Sequence, residues 1–425
     1  MSARPQGLIA TPRACAQVTA RRRRQVRERL LVVGAGMAGF KLVEELTRLR
    51  SDGFDITMLG AEAHVPYNRV LLSSLLAGDA QAGDLKLKPP SWYDDKAIKL
   101  LTGVACCTLD PLERRVTLAD GASLTFDRLV LATGSTAVRL PVPGCELAGV
   151  MTFRTLGDVA RLQRTRPGTP VVVIGGGLLG LEAAHGLASR GARVTLLHLM
   201  PRLMELQLDA RSAALLAAAM RRNGIEVVLE AQTAAIAGEG RAQCVRLRDG
   251  RVYPAELVVM AVGIRPATML ARTGGLQIGR GVKVDDGFAT SVPGIYAIGE
   301  CAEHRGTCCG LVEPAYEQAK VLAHLLAGLP ARYESGAMAT ALKVAGIPVV
   351  SMGDFEGGGA EAILLEDQGA ALYRKLVVRD GRLAGAVLFG DTAEALWYRD
   401  LIRQQAPIAP IRSSLAFGQA YAEAA

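Results

Sequence analysis

Two short stretches, LLVVGAGMAGFKLVE at 30–44 and VVVIGGGLLGLEAA at 171–184, constrain the fold more than any other feature of the 425 residues. Each is an apolar run of strand length, then Gly-x-Gly-x-x-Gly, then a helical pattern. In such a unit the first glycine (Gly34, Gly175) permits a tight turn. The second (Gly36, Gly177) lets the backbone approach a pyrophosphate, and the third (Gly39, Gly180) lets helix pack on strand. The amides at the helix N-terminus then face the phosphates. One such motif is a weak signal. Two, each between a strand and a helix, predict two dinucleotide cradles on two parallel sheets.

The rest of the chain agrees. Residues 38–50 read as a helix, DITML at 55–59 as the next strand, and Asp120-Gly121 as a hairpin turn before a strand ending in Ala132-Thr133-Gly134. After Pro141 and Pro143 the second unit begins. Its helix is expected over 178–190, its next strand at RVTLLHL, and a further helix over 209–223. Residues 311–328 have helical spacing and stop at a glycine, and a hairpin is expected around Asp380-Gly381.

The formal charge of +8 suggests a nucleic-acid ligand until it is located. Residues 1–29 hold eight Arg against Glu28 alone, or +7, so the other 396 residues net +1. The basicity belongs to an arm expected to be disordered, for which a solvated tail, a targeting peptide and a partner-binding segment are the readings. The arm and the apolar run 30–40 imitate a signal peptide, but that run fits the first cradle better. No uncharged apolar run reaches the ~18 residues of a membrane span, so a soluble protein is expected. The eight cysteines include no Cys-x-x-Cys and suit a reducing cytoplasm. Cys301, His304, Cys308 and Cys309 lie within nine residues, but adjacent cysteines suit a tetrahedral metal poorly, and no metal is expected.

An acidic residue about 20 positions beyond each cradle should bind ribose hydroxyls. Glu62 stands 23 residues past Gly39. After the second cradle, 18 residues past Gly180, stands His198, with Arg202 four further on. A histidine there would tolerate a 2′-phosphate that a carboxylate repels, so the second cradle is expected to accept NADPH as well as NADH. The other reading is a histidine that only packs at the strand end.

The two cradles, Ala132-Thr133-Gly134, Glu182, AVGIRP at 261–266 with Gly263, and YAIGE at 296–300 with Gly299 and Glu300 resemble the pyridine nucleotide-disulfide oxidoreductases, the family related to glutathione reductase. The resemblance implies an α/β chain of two Rossmann-like nucleotide-binding domains and a small α+β C-terminal domain. It implies FAD on the first cradle and NAD(P)H on the second. The expected segments are the basic arm at 1–29, an FAD domain at 30–148 and 269–328, an NAD(P)H domain at 149–268, a small domain at 330–415 and a tail at 416–425. By resemblance Glu62 would join the first cradle in holding the ADP half of FAD, and Arg69, Thr133, Gly134, Gly299 and Glu300 would line the flavin and ribityl side. Glu182, His198 and Gly263 would serve NAD(P)H, with Glu182 near the carboxamide and no side-chain nucleophile.

PYNRVLLSS at 66–74, HLMPRLMELQLD at 198–209 and GAVLFGDT at 385–392 narrow the likeness to the N-terminal half of the large subunit of NAD(P)H nitrite reductases. No iron–sulfur or siroheme segment follows within the 425 residues. The resemblance therefore implies the electron-input half, an enzyme delivering electrons to a separate nitrite or nitrate reductase. The alternatives are a ferredoxin or rubredoxin reductase and a redox-sensing flavin protein whose arm binds a partner. Those reductases tend to carry two prolines and a lysine where Val70, Leu71 and Ser74 stand, and an aspartate for Glu300. The small domain, bearing Trp397, is a candidate surface for a partner or a second copy.

Overall fold

The computed structural model describes residues 27–50, 52–334, 339–344 and 346–423. Cys15 and residues 1–26 of the basic arm lie outside the described residues. The first sheet runs Ile295–Ala297, Arg128–Leu131, Glu28–Val33, Phe54–Gly60, Lys99–Thr102, with every pairing parallel. The second runs Glu226–Val228, Arg193–Leu197, Pro170–Ile174, Leu257–Met260, Val150–Thr152, again all parallel. In both the strand that feeds a cradle is the middle one of five. Such a strand is covered on both faces, which is why Leu30–Val33 and Val171–Ile174 are unbroken apolar runs rather than alternating ones.

Helix Met37–Leu49 turns Phe40, Leu42, Val43 and Leu46 inward at helical spacing. They meet Ala319, Leu322, Ala323 and Leu326 of helix Val312–Leu326 in one core cluster. Truncating a fully buried member such as Leu46 to Ala should cost about 2–5 kcal/mol. Helix Leu178–Ser189 is smaller-sided, burying Ala183, Ala184, Gly186 and Leu187. A side chain at Gly186 would lie 2.9 Å from Leu76 Cγ. That gap lets the short helix Leu72–Ala77 from the first unit seat against the second, and both join one apolar cluster.

The third unit is an antiparallel sheet in the order Ala339–Val344, Ile347–Gly353, Arg382–Phe389, Leu372–Arg379, Glu361–Asp367. Its central hairpin turns at Asp380 and Gly381, with φ of 50° and 69°, the left-handed pair that matches strand twist. Helix Ala395–Gln404 caps it through Tyr398 and Ile402, with Trp397 partly buried beside them. Val349, Tyr373, Val387 and Phe389 reach into the cluster beneath the second sheet. The chain is thus α/β, with two parallel sheets, each covered by helices on one face and by a three-stranded antiparallel sheet on the other (residues 106–125 and 233–254), and a smaller α+β unit.

Two expectations need correction. The first strand starts at Glu28, inside the stretch assigned to the disordered arm. Glu28 is held by Arg128 at 2.8 Å and Arg29 by Asp127 at 2.8 Å. The strand read as RVTLLHL ends at Leu197; the His198 amide still donates to the Val228 carbonyl at 2.9 Å, and its side chain turns to the second cradle.

Candidate functional site

The two glycine turns are nearly superposable in their contacts. A Cβ on Gly34, at φ +122°, would stand 2.0 Å from the Ala132 carbonyl oxygen; on Gly175, at +119°, 2.3 Å from that of Ala261. A Cβ on Gly39 would stand 2.2 Å from the Gly34 oxygen, and on Gly180 1.9 Å from that of Gly175. The outer glycines are therefore required by the protein's own backbone. Nothing of the protein lies within 4 Å of a Cβ built on Gly36 or Gly177. Their absent side chains leave backbone bare at a helix N-terminus, the surface a pyrophosphate needs. Both cradles fit a dinucleotide.

Around the first cradle the fold gathers residues far apart in sequence. The Glu62 carboxylate is paired with Arg69 and accepts the Tyr67 hydroxyl at 2.8 Å. Arg69 donates to Tyr67 at 2.7 Å and to the Arg154 carbonyl at 3.1 Å, with its guanidinium 4.8 Å from the Tyr67 ring centre. Burial raises the Tyr67 phenol far above its ordinary value, so it stays a donor. Glu300 accepts from the Ser135 hydroxyl at 2.7 Å and is ion-paired with Arg154. Arg154 also donates to the Ser135 carbonyl at 3.0 Å. Thr133 donates to the Ala267 carbonyl at 2.7 Å, and a Cβ on Gly134 would come 3.8 Å from Glu300. The Gly299 amide donates to Gln318 at 2.7 Å, which ties the 3-10 turn Gly299–Cys301 to helix Val312–Leu326.

The second cradle is supported differently. His198 is buried, and its Nδ1 accepts the Gly176 amide at 3.0 Å while Nε2 faces Glu205 Oε2 at 3.0 Å. Arg202 is paired with Glu356 of the third unit and donates to the Glu205 carbonyl at 3.3 Å. Gly263, at φ +109°, is open, with nothing within 4 Å of a built Cβ. Glu182 lies one helical turn before Gly186, where the two nucleotide units meet, beside the Ser73 hydroxyl. Burial pushes its carboxyl up to about 7, against the pull of Ser73.

Glu62, Arg69, Thr133, Gly134, Gly299 and Glu300 are thus brought around the first cradle, and His198 beneath the second. Sequence reasoning missed Tyr67, Ser135, Arg154, Gln318 and Glu205. Tyr67 and Glu205 lie inside stretches quoted for resemblance but carried no role there, and each of the five acts across a loop or from another element. Glu205 could have been suspected as the first carboxylate after His198.

The Cys301–Cys309 stretch is otherwise engaged. His304 meets Asp286 at 2.8 Å, the Cys301 thiol faces the Ile298 carbonyl at 3.2 Å, and Cys309 that of Leu311 at 3.2 Å. Among the described residues no three metal-ligating side chains cluster, and no helix is long and apolar enough to cross a membrane.

The family model for pyridine nucleotide-disulphide oxidoreductases matches residues 28–321, and that for the rubredoxin NAD+ reductase C-terminal domain matches 339–406. The chain is 43% identical to the nitrite reductase [NAD(P)H] of Bacillus subtilis, over 90% of this chain and 48% of that one. It is 40% identical to the assimilatory nitrate reductase electron transfer subunit of the same organism, over 90% of this chain and 50% of the other. It therefore spans about half the length of these curated relatives. The crystal structure of a ferredoxin reductase from Rhodopseudomonas palustris superposes with TM-score 0.82 at 27% identity, covering 92% of this chain and 100% of that one. With two dinucleotide cradles, each fed by the middle strand of a five-stranded parallel sheet, the chain belongs to the pyridine nucleotide-disulphide oxidoreductase family and is an FAD-dependent NAD(P)H oxidoreductase.

Proposed function

We propose that this chain carries electrons from NAD(P)H, through FAD on the first cradle, to an acceptor protein of nitrite or nitrate reduction. The observation that carries the reading is the pair of open central glycines, Gly36 and Gly177, on two sheets joined by one packed helix pair. FAD held there would supply the hydride-accepting and electron-releasing chemistry that links the nicotinamide to the acceptor. The protein's part is placement and electrostatics.

Gly34, Gly36, Gly39 and Glu62 hold the ADP half of FAD. Arg69, Thr133, Gly134, Gly299 and Glu300 line its flavin and ribityl side, with Arg154 and Ser135 fixing the Glu300 carboxylate. Gly175, Gly177, Gly180, His198 and Gly263 serve NAD(P)H. Glu182 stands on the nicotinamide side, where its raised carboxyl supplies a proton-bearing polar group near neutral pH. Likeness to a nitrite reductase and to a nitrate reductase electron transfer subunit over 90% of the chain supports the acceptor class. The seven described cysteines are free, which supports a cytoplasmic site.

A second reading, a ferredoxin or rubredoxin reductase, is favoured by the match of the third unit and by the solved ferredoxin reductase. One experiment separates them. The purified flavoprotein is reduced anaerobically with NADH or NADPH, then mixed with a siroheme nitrite reductase, a molybdenum nitrate reductase or a ferredoxin. Fast flavin reoxidation by either of the first two supports the proposal. Reoxidation by ferredoxin alone favours the second reading, and a flavin that neither nucleotide bleaches overturns both.

A further inference from the structure

His198 does not present a cation to the second cradle; it carries a carboxylate there. An imidazole nitrogen that accepts an amide proton bears none of its own. With Nδ1 accepting from Gly176, the ring proton sits on Nε2 and points at Glu205 Oε2, 3.0 Å away. The ring is packed against the cradle, and a flipped ring would set carbon atoms against the Gly176 amide and Glu205 and lose both contacts. A Cβ on Gly176 would fall 2.6 Å from His198 Cγ, and the side chain is 8% exposed. The tautomer is thus written by the cradle, and it fixes Glu205.

Glu205 is 27% exposed, and its other oxygen, Oε1, makes no hydrogen bond among the described residues. It is held at the C-terminal end of Arg193–Leu197, the strand beside the cradle strand in the parallel sheet. In a Rossmann-like parallel sheet that is where the adenosine ribose lies. Arg202, the cation nearest in sequence, is committed to Glu356 on the third unit.

We propose that Glu205, positioned through His198, binds the adenosine ribose hydroxyls of NADH and excludes the 2′-phosphate of NADPH. The proposal rests on the second cradle being the nicotinamide dinucleotide site. It replaces the expectation that a histidine at position 198 admits both nucleotides. A carboxylate facing a phosphate at hydrogen-bonding range should weaken NADPH roughly 100-fold relative to NADH.

The test is calorimetric titration of the purified flavoprotein with NAD+ and NADP+, which needs no turnover. The native protein should bind NAD+ roughly 100-fold more tightly. Glu205→Gln, which keeps a hydrogen-bonding partner for His198 but removes the charge, should cut that ratio to about 10-fold or less with flavin absorbance and melting temperature unchanged. Adding Glu356→Gln, which frees Arg202, should tighten NADP+ further, and Glu205→Arg should invert the preference even if Glu205→Gln folds poorly. Equal binding of the two nucleotides by the native protein, or undiminished discrimination in both Glu205 variants, overturns the proposal. Binding of neither nucleotide overturns the reading of the second cradle itself, and the proposal with it.

Discussion

The two cradles repeat each other where the backbone makes the contact and part company where side chains do. Gly34 and Gly175 face carbonyl oxygens at 2.0 and 2.3 Å from a built Cβ, and Gly36 and Gly177 face open space. Beyond the next strand the resemblance ends. The first cradle is followed by Glu62, tied to Arg69 and Tyr67. The second is followed by a buried histidine wedged between a backbone amide and Glu205. A turn that must admit a diphosphate is fixed by sterics that leave little choice. Beyond the turn a carboxylate is held in each unit by an unrelated construction, Glu62 by Arg69 and Tyr67 and Glu205 by His198.

The sharpest way to break this comparison is to put a methyl group on an outer and a middle glycine of each cradle. Gly34→Ala drives Cβ onto a carbonyl in a left-handed backbone and should cost about 3 kcal/mol or more, lowering the melting temperature even without flavin. Gly36→Ala meets nothing of the protein, so the apoprotein should melt within a few degrees of native while bound-flavin absorbance falls. Gly175→Ala and Gly177→Ala should reproduce the split, with nucleotide titration as the readout. If Gly36→Ala destabilises as much as Gly34→Ala, the division of labour among the glycines is wrong.

An effect on the flavin rather than on the fold should come from Ser74, where by resemblance ferredoxin reductases tend to carry lysine. A cation about 4 Å from the flavin at an effective dielectric of about 20 would favour the reduced anion by about 4 kcal/mol, or up to ~90 mV for two electrons. Ser74→Lys should raise the flavin potential toward that limit in a spectroelectrochemical titration. An unchanged potential would show that helix Leu72–Ala77 does not face the flavin.

The smallest effect concerns Glu182. Its folded pKa, pushed up to about 7, lies above the ordinary carboxylate value, so ionising it works against the fold. Below about pH 4.5 both states are protonated and nothing is lost. The native protein should lose stability relative to Glu182→Gln as pH rises from about 4.5 to 7, with the gap constant above that. Melting temperatures across that range check it, and a gap that closes with rising pH would refute the assignment.

Much of the frame was legible in the sequence because it rests on local chemistry. Apolar runs of strand length, glycines at fixed offsets and Asp-Gly turns announce themselves within a few residues, and both parallel sheets and the Asp380-Gly381 hairpin follow from them. What escaped was whatever acts across the chain. Arg154 reaches Glu300 over 146 residues, and Arg202 reaches Glu356 over 154. The place of His198 is legible but its partners are not, because the two groups that fix its ring, a backbone amide and Glu205, are ones that no spacing reveals. Glu28 and Arg29 read as part of the arm because five arginines stand within the seven residues before them, whereas their partners are 100 and 98 residues away.

The seat of Leu76 in the gap above Gly186 has a thermodynamic consequence. Side chains from both nucleotide units and from the third share that cluster, so none of the three can melt while the others keep a dry interior. Heating should therefore give one calorimetric peak rather than a staircase, and saturating flavin should delay the collapse of the nicotinamide half by the same increment as its own.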